Sequence, residues 1–250
     1  MTRTTIDIST SDGTAEAYVS RPDEGEHPAV LLYMDAIGLR PRLEEMADRI
    51  ASWGFVVMVP NVFYRDGTAA ELRPTEDLTV PANREAFFGS AMARVGAYTP
   101  DRFGPDLDAF LGTLLALPGV AGSEIGVIGY CMGGRLALRA TGQYPAEVAA
   151  IGLFHGGGLV TYAPDSPHLA VAGARAEVLA GHADNDGSNG PEQIAALDAA
   201  LEAAGLTYTT AVYQGASHGY SMSDTSAYDE AATERHFREL EALLGRTLRD

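Results

Sequence analysis

The sequence has one cysteine and no lysine, and both shortages narrow what the chain can be. A single Cys131 excludes a disulfide framework within the chain and fits a reducing compartment. All basic residues are arginine, and they are outnumbered by acidic ones 34 to 17, which sets the formal net charge at -17. A chain so short of positive charge is a poor ligand for nucleic acid, whose phosphates are held by clustered Lys and Arg, and a poor ligand for an anionic membrane. Long hydrophobic runs free of glycine and polar residues are also missing, so no membrane span is expected. The opening Met1-Thr2-Arg3-Thr4-Thr5-Ile6-Asp7-Ile8 lacks the apolar stretch of a secretion signal, and a cytoplasmic location is expected. No group of His, Cys, Asp or Glu has metal-ligand spacing, and no Gly-x-Gly-x-x-Gly stands at a strand–helix junction. Neither a metal nor another cofactor is therefore expected.

What is present is the composition of a globular protein: 250 residues, 46% hydrophobic and 20% charged. One α/β domain of this length buries a full core. Thr5 to Ser9 alternates, Asp12-Gly13 marks a turn and Ala15 to Ser20 follows, which predicts an opening antiparallel hairpin. Pro28 to Met34 is nearly continuous in apolar residues, as a strand buried on both faces must be. Leu43, Met46, Ala47 and Ile50 then recur at helical spacing, and Phe55 to Val59 makes a second buried strand. The stretch from about 61 to 105 mixes Gly, Pro, Arg and aromatics. It is expected to be an irregular, partly helical excursion, with a short helix near Arg84 to Arg94. A helix is predicted over Leu107 to Leu117.

Strand and helix signals then alternate: strand Ile125–Gly129, helix Met132–Gln143, strand Val148–Phe154, strand Glu177–Gly181, helix Pro191–Ala204, strand Tyr208–Tyr213 and helix Tyr228–Leu244. Such alternation predicts a mostly parallel sheet flanked by helices, an α/β architecture in a single domain.

The most informative stretch is Gly126-Val127-Ile128-Gly129-Tyr130-Cys131-Met132-Gly133-Gly134. A buried strand meets a Gly-x-Cys-x-Gly-Gly turn and then a helix, which is the nucleophile-elbow pattern with Cys in the usual Ser position. Glycine is needed where a Cβ would collide across so tight a turn. Cys131 also lies at a helix N-terminus, whose partial positive charge favours thiolate, and the Met132 amide points where an oxyanion would form. The order nucleophile, acid, histidine makes His218, in Gly215-Ala216-Ser217-His218, the expected base. The expected acid comes from Gly181-His182-Ala183-Asp184-Asn185-Asp186-Gly187. Asp184 is preferred because it follows the strand first, while Asp186 beside Gly187 reads more readily as a turn residue. His155 lies in a glycine-rich loop after a strand and is a candidate pocket residue.

With these residues in place, the chain resembles the dienelactone hydrolase (carboxymethylenebutenolidase) family over nearly its whole length. The resemblance rests on Gly129-Tyr130-Cys131-Met132-Gly133-Gly134, Gly181-His182-Ala183-Asp184 and Gly215-Ala216-Ser217-His218. It implies an α/β-hydrolase fold and a hydrolase that opens a small lactone or ester through a Cys-His-Asp triad and an acyl-thioester. It further implies that Asp35, in Met34-Asp35-Ala36-Ile37-Gly38, assists the thiol and that the Ala36 amide completes an oxyanion hole with Met132. Two positions depart from the family pattern. Asp35 stands where Glu is usual, and Met222 stands where an Arg four residues after the histidine binds a substrate carboxylate. Arg135 on the nucleophile helix, or an Arg between Arg65 and Arg102, is the candidate replacement. A general esterase or thioesterase, and a degenerate hydrolase that only binds a ligand, are the competing readings.

Overall fold

The computed structural model describes residues 1–249. Among the described residues eight strands, numbered β1 to β8 in chain order, form the sheet in the order β1-β2-β4-β3-β5-β6-β7-β8. The described residues are organised in two compact units, residues 1–123 with 224–226, and residues 124–223 with 227–249.

In the first unit, β1 (Thr2–Thr10) and β2 (Gly13–Arg21) form the expected antiparallel hairpin, with Thr10 opposite Gly13 across a two-residue loop. β2 also pairs antiparallel with β4 (Val56–Pro60), and β3 (His27–Tyr33) pairs parallel with β4. Val30, Leu31, Leu32, Val57, Met58 and Val59 are all buried, which is why these strands read as unbroken apolar runs. Helix α1 (Pro41–Ser52) buries Leu43, Met46, Ala47 and Ile50 along one stripe and packs on β2 and β4.

The expected irregular excursion is instead largely helical. It contains α2 (Ala69–Leu72), α3 (Pro81–Ala97) and the start of α4 (Pro100–Leu115). Pro81 and Pro100 occupy first-turn positions, where a missing N–H costs nothing. Pro105 lies inside α4, so a residue that ordinarily ends a helix marks no boundary here. Helix α3 buries only Ala91 and Val95, and that sparse stripe is why periodicity gave so weak a signal for it. Around α4, the buried carboxylate of Asp106 accepts a bidentate pair from Arg65 at 2.7 and 2.8 Å and the Tyr64 hydroxyl at 2.8 Å.

In the second unit, β5 (Val120–Tyr130), β6 (Val148–Phe154), β7 (Glu177–Ala183) and β8 (Tyr208–Tyr213) pair in parallel. Between them run α5 (Met132–Gln143), a 3-10 turn at Pro167–Gly173, and α6 (Pro191–Ala203). The closing helix α7 (Glu230–Leu248) packs on β6 and β7 through Phe237, Leu240, Leu243 and Leu244. Its N-cap is Asp229, whose carboxylate accepts the Ala232 amide at 2.8 Å. The carboxyl ends of β5, β6, β7 and β8 lead directly into Cys131, His155, Asp184 and Gln214. In a parallel sheet this edge is where reactive loops gather.

Candidate active site

Cys131 sits between β5 and α5 with φ 52° and ψ -114°, a region side chains rarely occupy. The turn is held on both sides. The Cys131 amide donates to the Phe154 carbonyl at 3.1 Å, and the Cys131 carbonyl accepts from Gly134 at 3.2 Å and from Gly157 at 3.1 Å. Gly129 is obligatory at this crossing, since a Cβ there would lie 2.1 Å from the Gly133 carbonyl oxygen. The strain therefore follows from the tight crossing and lifts the thiol off the end of the strand. Met132 is the first residue of α5, so its amide has no carbonyl partner within the helix.

His218 lies 3.0 Å from the sulfur through Nε2, and its Nδ1 lies 2.6 Å from Asp186 Oδ2. The other Asp186 oxygen accepts the Ser188 amide at 2.8 Å and the Ser188 hydroxyl at 2.7 Å. Burial works against protonation of His218, but attraction to Cys131 and the hydrogen bond with Asp186 outweigh it and push the imidazole up to about 10. Burial likewise opposes ionisation of Asp186, and its bonds with His218 and Ser188 prevail, holding the carboxyl down at about 2. The arrangement is an aligned acid–imidazole–thiol series.

This corrects the expected acid: His218 pairs with Asp186, not Asp184. Strand β7 runs to Ala183 rather than ending at Gly181, which leaves Asp184 beside the neighbouring loop. There its carboxylate accepts the Gly215 amide at 2.9 Å and its own amide donates to Ala216 at 2.7 Å. Asn185 then takes a left-handed conformation, φ 52°, and turns the chain so that Asp186 reaches the imidazole. Asp184 clips the histidine loop to β7, and Asp186 faces the ring.

The structure also revises His155. It is 0% exposed and lines no open surface. Its ring stands edge-on to His218 at 5.4 Å, its Nε2 meets the Ser221 hydroxyl at 2.7 Å, and burial drives its pKa well down, so it is a neutral ring packed behind His218. Arg135 lies one turn into α5, where burial lowers its pKa against the attraction of Cys131. Ser188 was missed in the sequence, although its place two residues after an Asp, in Asp-Gly-Ser, is the pattern of a side chain that closes an Asx turn.

The profile of the dienelactone hydrolase family matches residues 15–248. The chain belongs to this family. Carboxymethylenebutenolidase 1 of Cupriavidus pinatubonensis is 28% identical over 151 residues, 60% of each chain. A Methylorubrum extorquens protein named provisionally as a carboxymethylenebutenolidase is 24% identical over 89% of this chain and 74% of its own. Among solved structures, a dienelactone hydrolase-like promiscuous phosphotriesterase from metagenomic libraries superposes with a TM-score of 0.76 at 21% identity, over 99% of this chain and 98% of the other. That last likeness speaks to the fold alone.

This dienelactone hydrolase family protein is thus a hydrolase of lactones or esters. Its departures from the family pattern now have structural form. Met222 is buried, an apolar side chain where the pattern has a cation. Asp35 is committed within the first unit: its carboxylate accepts the Ile37 and Gly38 amides at 3.1 and 3.3 Å, and Arg40 at 2.7 and 3.1 Å. Arg40, 3% exposed, is also bound by Asp224 at 2.5 and 3.1 Å. Its burial disfavours the charge, and the two carboxylates more than restore it. Asp35 therefore caps its turn and pairs with Arg40. Arg40 carried no sequence signal beyond its place before Pro41. Among the described residues, no group of three or more His, Cys, Asp or Glu is placed to hold a metal ion, and no helix is long and apolar enough to cross a membrane.

Proposed function

We propose that this protein hydrolyses a small ester or lactone through Cys131 as nucleophile, His218 as base and acid, and Asp186 as the group that orients His218. The observation that carries the reading is the 3.0 Å approach of His218 Nε2 to the Cys131 sulfur with Asp186 at 2.6 Å behind the ring. The thiolate attacks the acyl carbon, the carbon–oxygen double bond opens, and the negative oxygen turns to the Met132 amide. As the tetrahedral species collapses, the alkoxide or enolate leaves with a proton from the His218 imidazolium. Neutral His218 then takes a proton from water, hydroxide adds to the thioester, and the acid leaves as the thiolate and imidazolium are restored. Asp186, held by Ser188 on one oxygen and bonded to Nδ1 with the other, fixes the tautomer that faces sulfur and supports the ring's charge.

Buried Met222 places an apolar group where the family pattern has a carboxylate-binding Arg, and this favours an uncharged ester or lactone over a carboxylate-bearing one. The test is hydrolysis of p-nitrophenyl acetate and of a dienelactone carboxylate, side by side, by the wild type and Cys131→Ala. The aryl ester is expected to be cleaved faster, with turnover lost in the variant. Faster cleavage of the carboxylate substrate refutes the preference for a neutral one, and activity retained in Cys131→Ala refutes the mechanism.

A further inference from the structure

We propose that His182 and Asn189 form a buried clamp that positions Asp186 against His218, a role that rests on the triad reading above. The loop from 184 to 190 carries the acid and contains a left-handed Asn185, a strained conformation that persists only where its surroundings hold it. Asp184 ties down its start. Its end is held by Asn189, which is 2% exposed and makes two bonds: its amide N–H donates to the Asp186 carbonyl at 3.2 Å, and its side-chain Nδ2 donates to His182 Nδ1 at 2.9 Å. His182 sits one residue before the end of β7 and is 1% exposed. The bond therefore anchors the far end of the acid's loop to the strand from which the loop departs. Gly190 follows as the N-cap of α6, so no slack remains beyond Asn189.

The chemistry of the pair argues for a positioning role. Accepting from Asn189 at Nδ1 leaves the proton of neutral His182 on Nε2, and this buried nitrogen has no hydrogen-bond partner. Asn189 Oδ1 and Asp198 Oδ1 are buried without one as well. The two unpaired atoms of the pair, His182 Nε2 and Asn189 Oδ1, are a cost that an apolar pair would not incur. Burial keeps His182 neutral, against the pull of Asp198 on α6 and of Asp186, the charged groups that act on it. A second proton would occupy Nδ1 and oppose the Asn189 amide. The arrangement is expensive and single-purpose: it fixes one loop geometry.

The experiment is an NMR titration of the His218 ring, with ester turnover measured alongside, in the wild type, Asn189→Ala, His182→Leu, His182→Asn and Asp186→Asn. Cys131, Asp186, His155 and the Ser188 hydroxyl lie against that ring, and the clamp reaches it through the loop that carries Asp186 and Ser188. Asn189→Ala and His182→Leu are expected to lower the His218 pKa by about one unit and kcat by about tenfold, with KM little changed. His182→Asn, whose Oδ1 occupies the place of Nδ1, is expected to keep both near wild type. If Asn189→Ala does not fold, Asn189→Ser supplies the same readings. Lower thermal stability with an unmoved His218 titration would show a merely structural pair and overturn the proposal. Asp186→Asn separates the two readings. If it too leaves the titration unmoved, the triad reading itself fails. If it lowers the titration while the clamp variants do not, only the clamp fails.

Discussion

Asp184 and Asp186 are two residues apart, chemically identical, and assigned by the geometry to different tasks. One oxygen of Asp186 serves His218 and the other is occupied by Ser188, whereas Asp184 meets the backbone of Gly215. Asp186→Asn is expected to keep the fold and lower kcat by roughly a thousandfold, because the imidazole loses its tautomer and the support of its charge. Asp184→Asn retains an oxygen to accept the Gly215 amide and is expected to stay within about threefold of wild type. Parallel kinetics on the two variants decide the assignment, and a reversed order would refute it. Gly157 marks the same tight neighbourhood, since a Cβ there would come 3.2 Å from Ser188 Oγ and 3.5 Å from the His218 ring.

At the scale of elements, the elbow between β5 and α5 concentrates the strain. A methyl group at Gly129 would sit 2.1 Å from a carbonyl oxygen and 2.5 Å from the next amide nitrogen, both backbone atoms that cannot swing aside. Gly129→Ala is expected to cost more than about 4 kcal/mol, enough to leave little folded protein, which chemical denaturation would show directly. In the first unit, Arg40 joins the end of β3 and the start of α1 to the segment at Asp224. Arg40→Met leaves Asp35 buried without its cation and is expected to destabilise by about 3–5 kcal/mol, which chemical denaturation measures.

The same elements explain which parts of the structure could be read from sequence. Helix α5 and strands β6 and β8 occupy the residues expected of them, because each is a clean apolar pattern between a turn and a glycine or proline. The helices between 69 and 115 were obscured by glycines, by Pro105 and by the single buried edge of α3. The approach of His218 to Cys131 follows the elbow and the chain order, which are local signals. That Asp186 rather than Asp184 meets the other ring nitrogen depends on two further residues of β7 and on the φ of Asn185, neither of which composition records. Arg40 and Asp224 are 184 residues apart, a separation at which no periodicity argument reaches.

At the scale of the molecule, the Asp186–His218 pair makes stability depend on pH. Asp186 ionises at about 2 in the folded protein against 3.8 unfolded, so its contribution of about 2 kcal/mol is present above pH 3.8 and lost as pH falls through 2. His218 is raised from 6.5 to about 10, so its contribution is complete below pH 6.5 and lost as pH rises through 10. The two share one contact and are not additive. Urea midpoints measured from pH 2 to 10 are expected to show Asp186→Asn losing most relative to wild type between about pH 4 and 6.5, and least at either extreme. A constant difference across the range would mean that the pair carries no linked charge.

The central claim is that Cys131 becomes acylated during turnover. Intact-protein and peptide mass spectrometry on samples quenched in acid during hydrolysis of p-nitrophenyl acetate tests it most directly. The account predicts one acetyl group on the peptide bearing Cys131, accumulating further in Asp186→Asn and absent in Cys131→Ala. Undiminished turnover in Cys131→Ala, or an acetyl group carried instead by a serine such as Ser188 or Ser221, would contradict it.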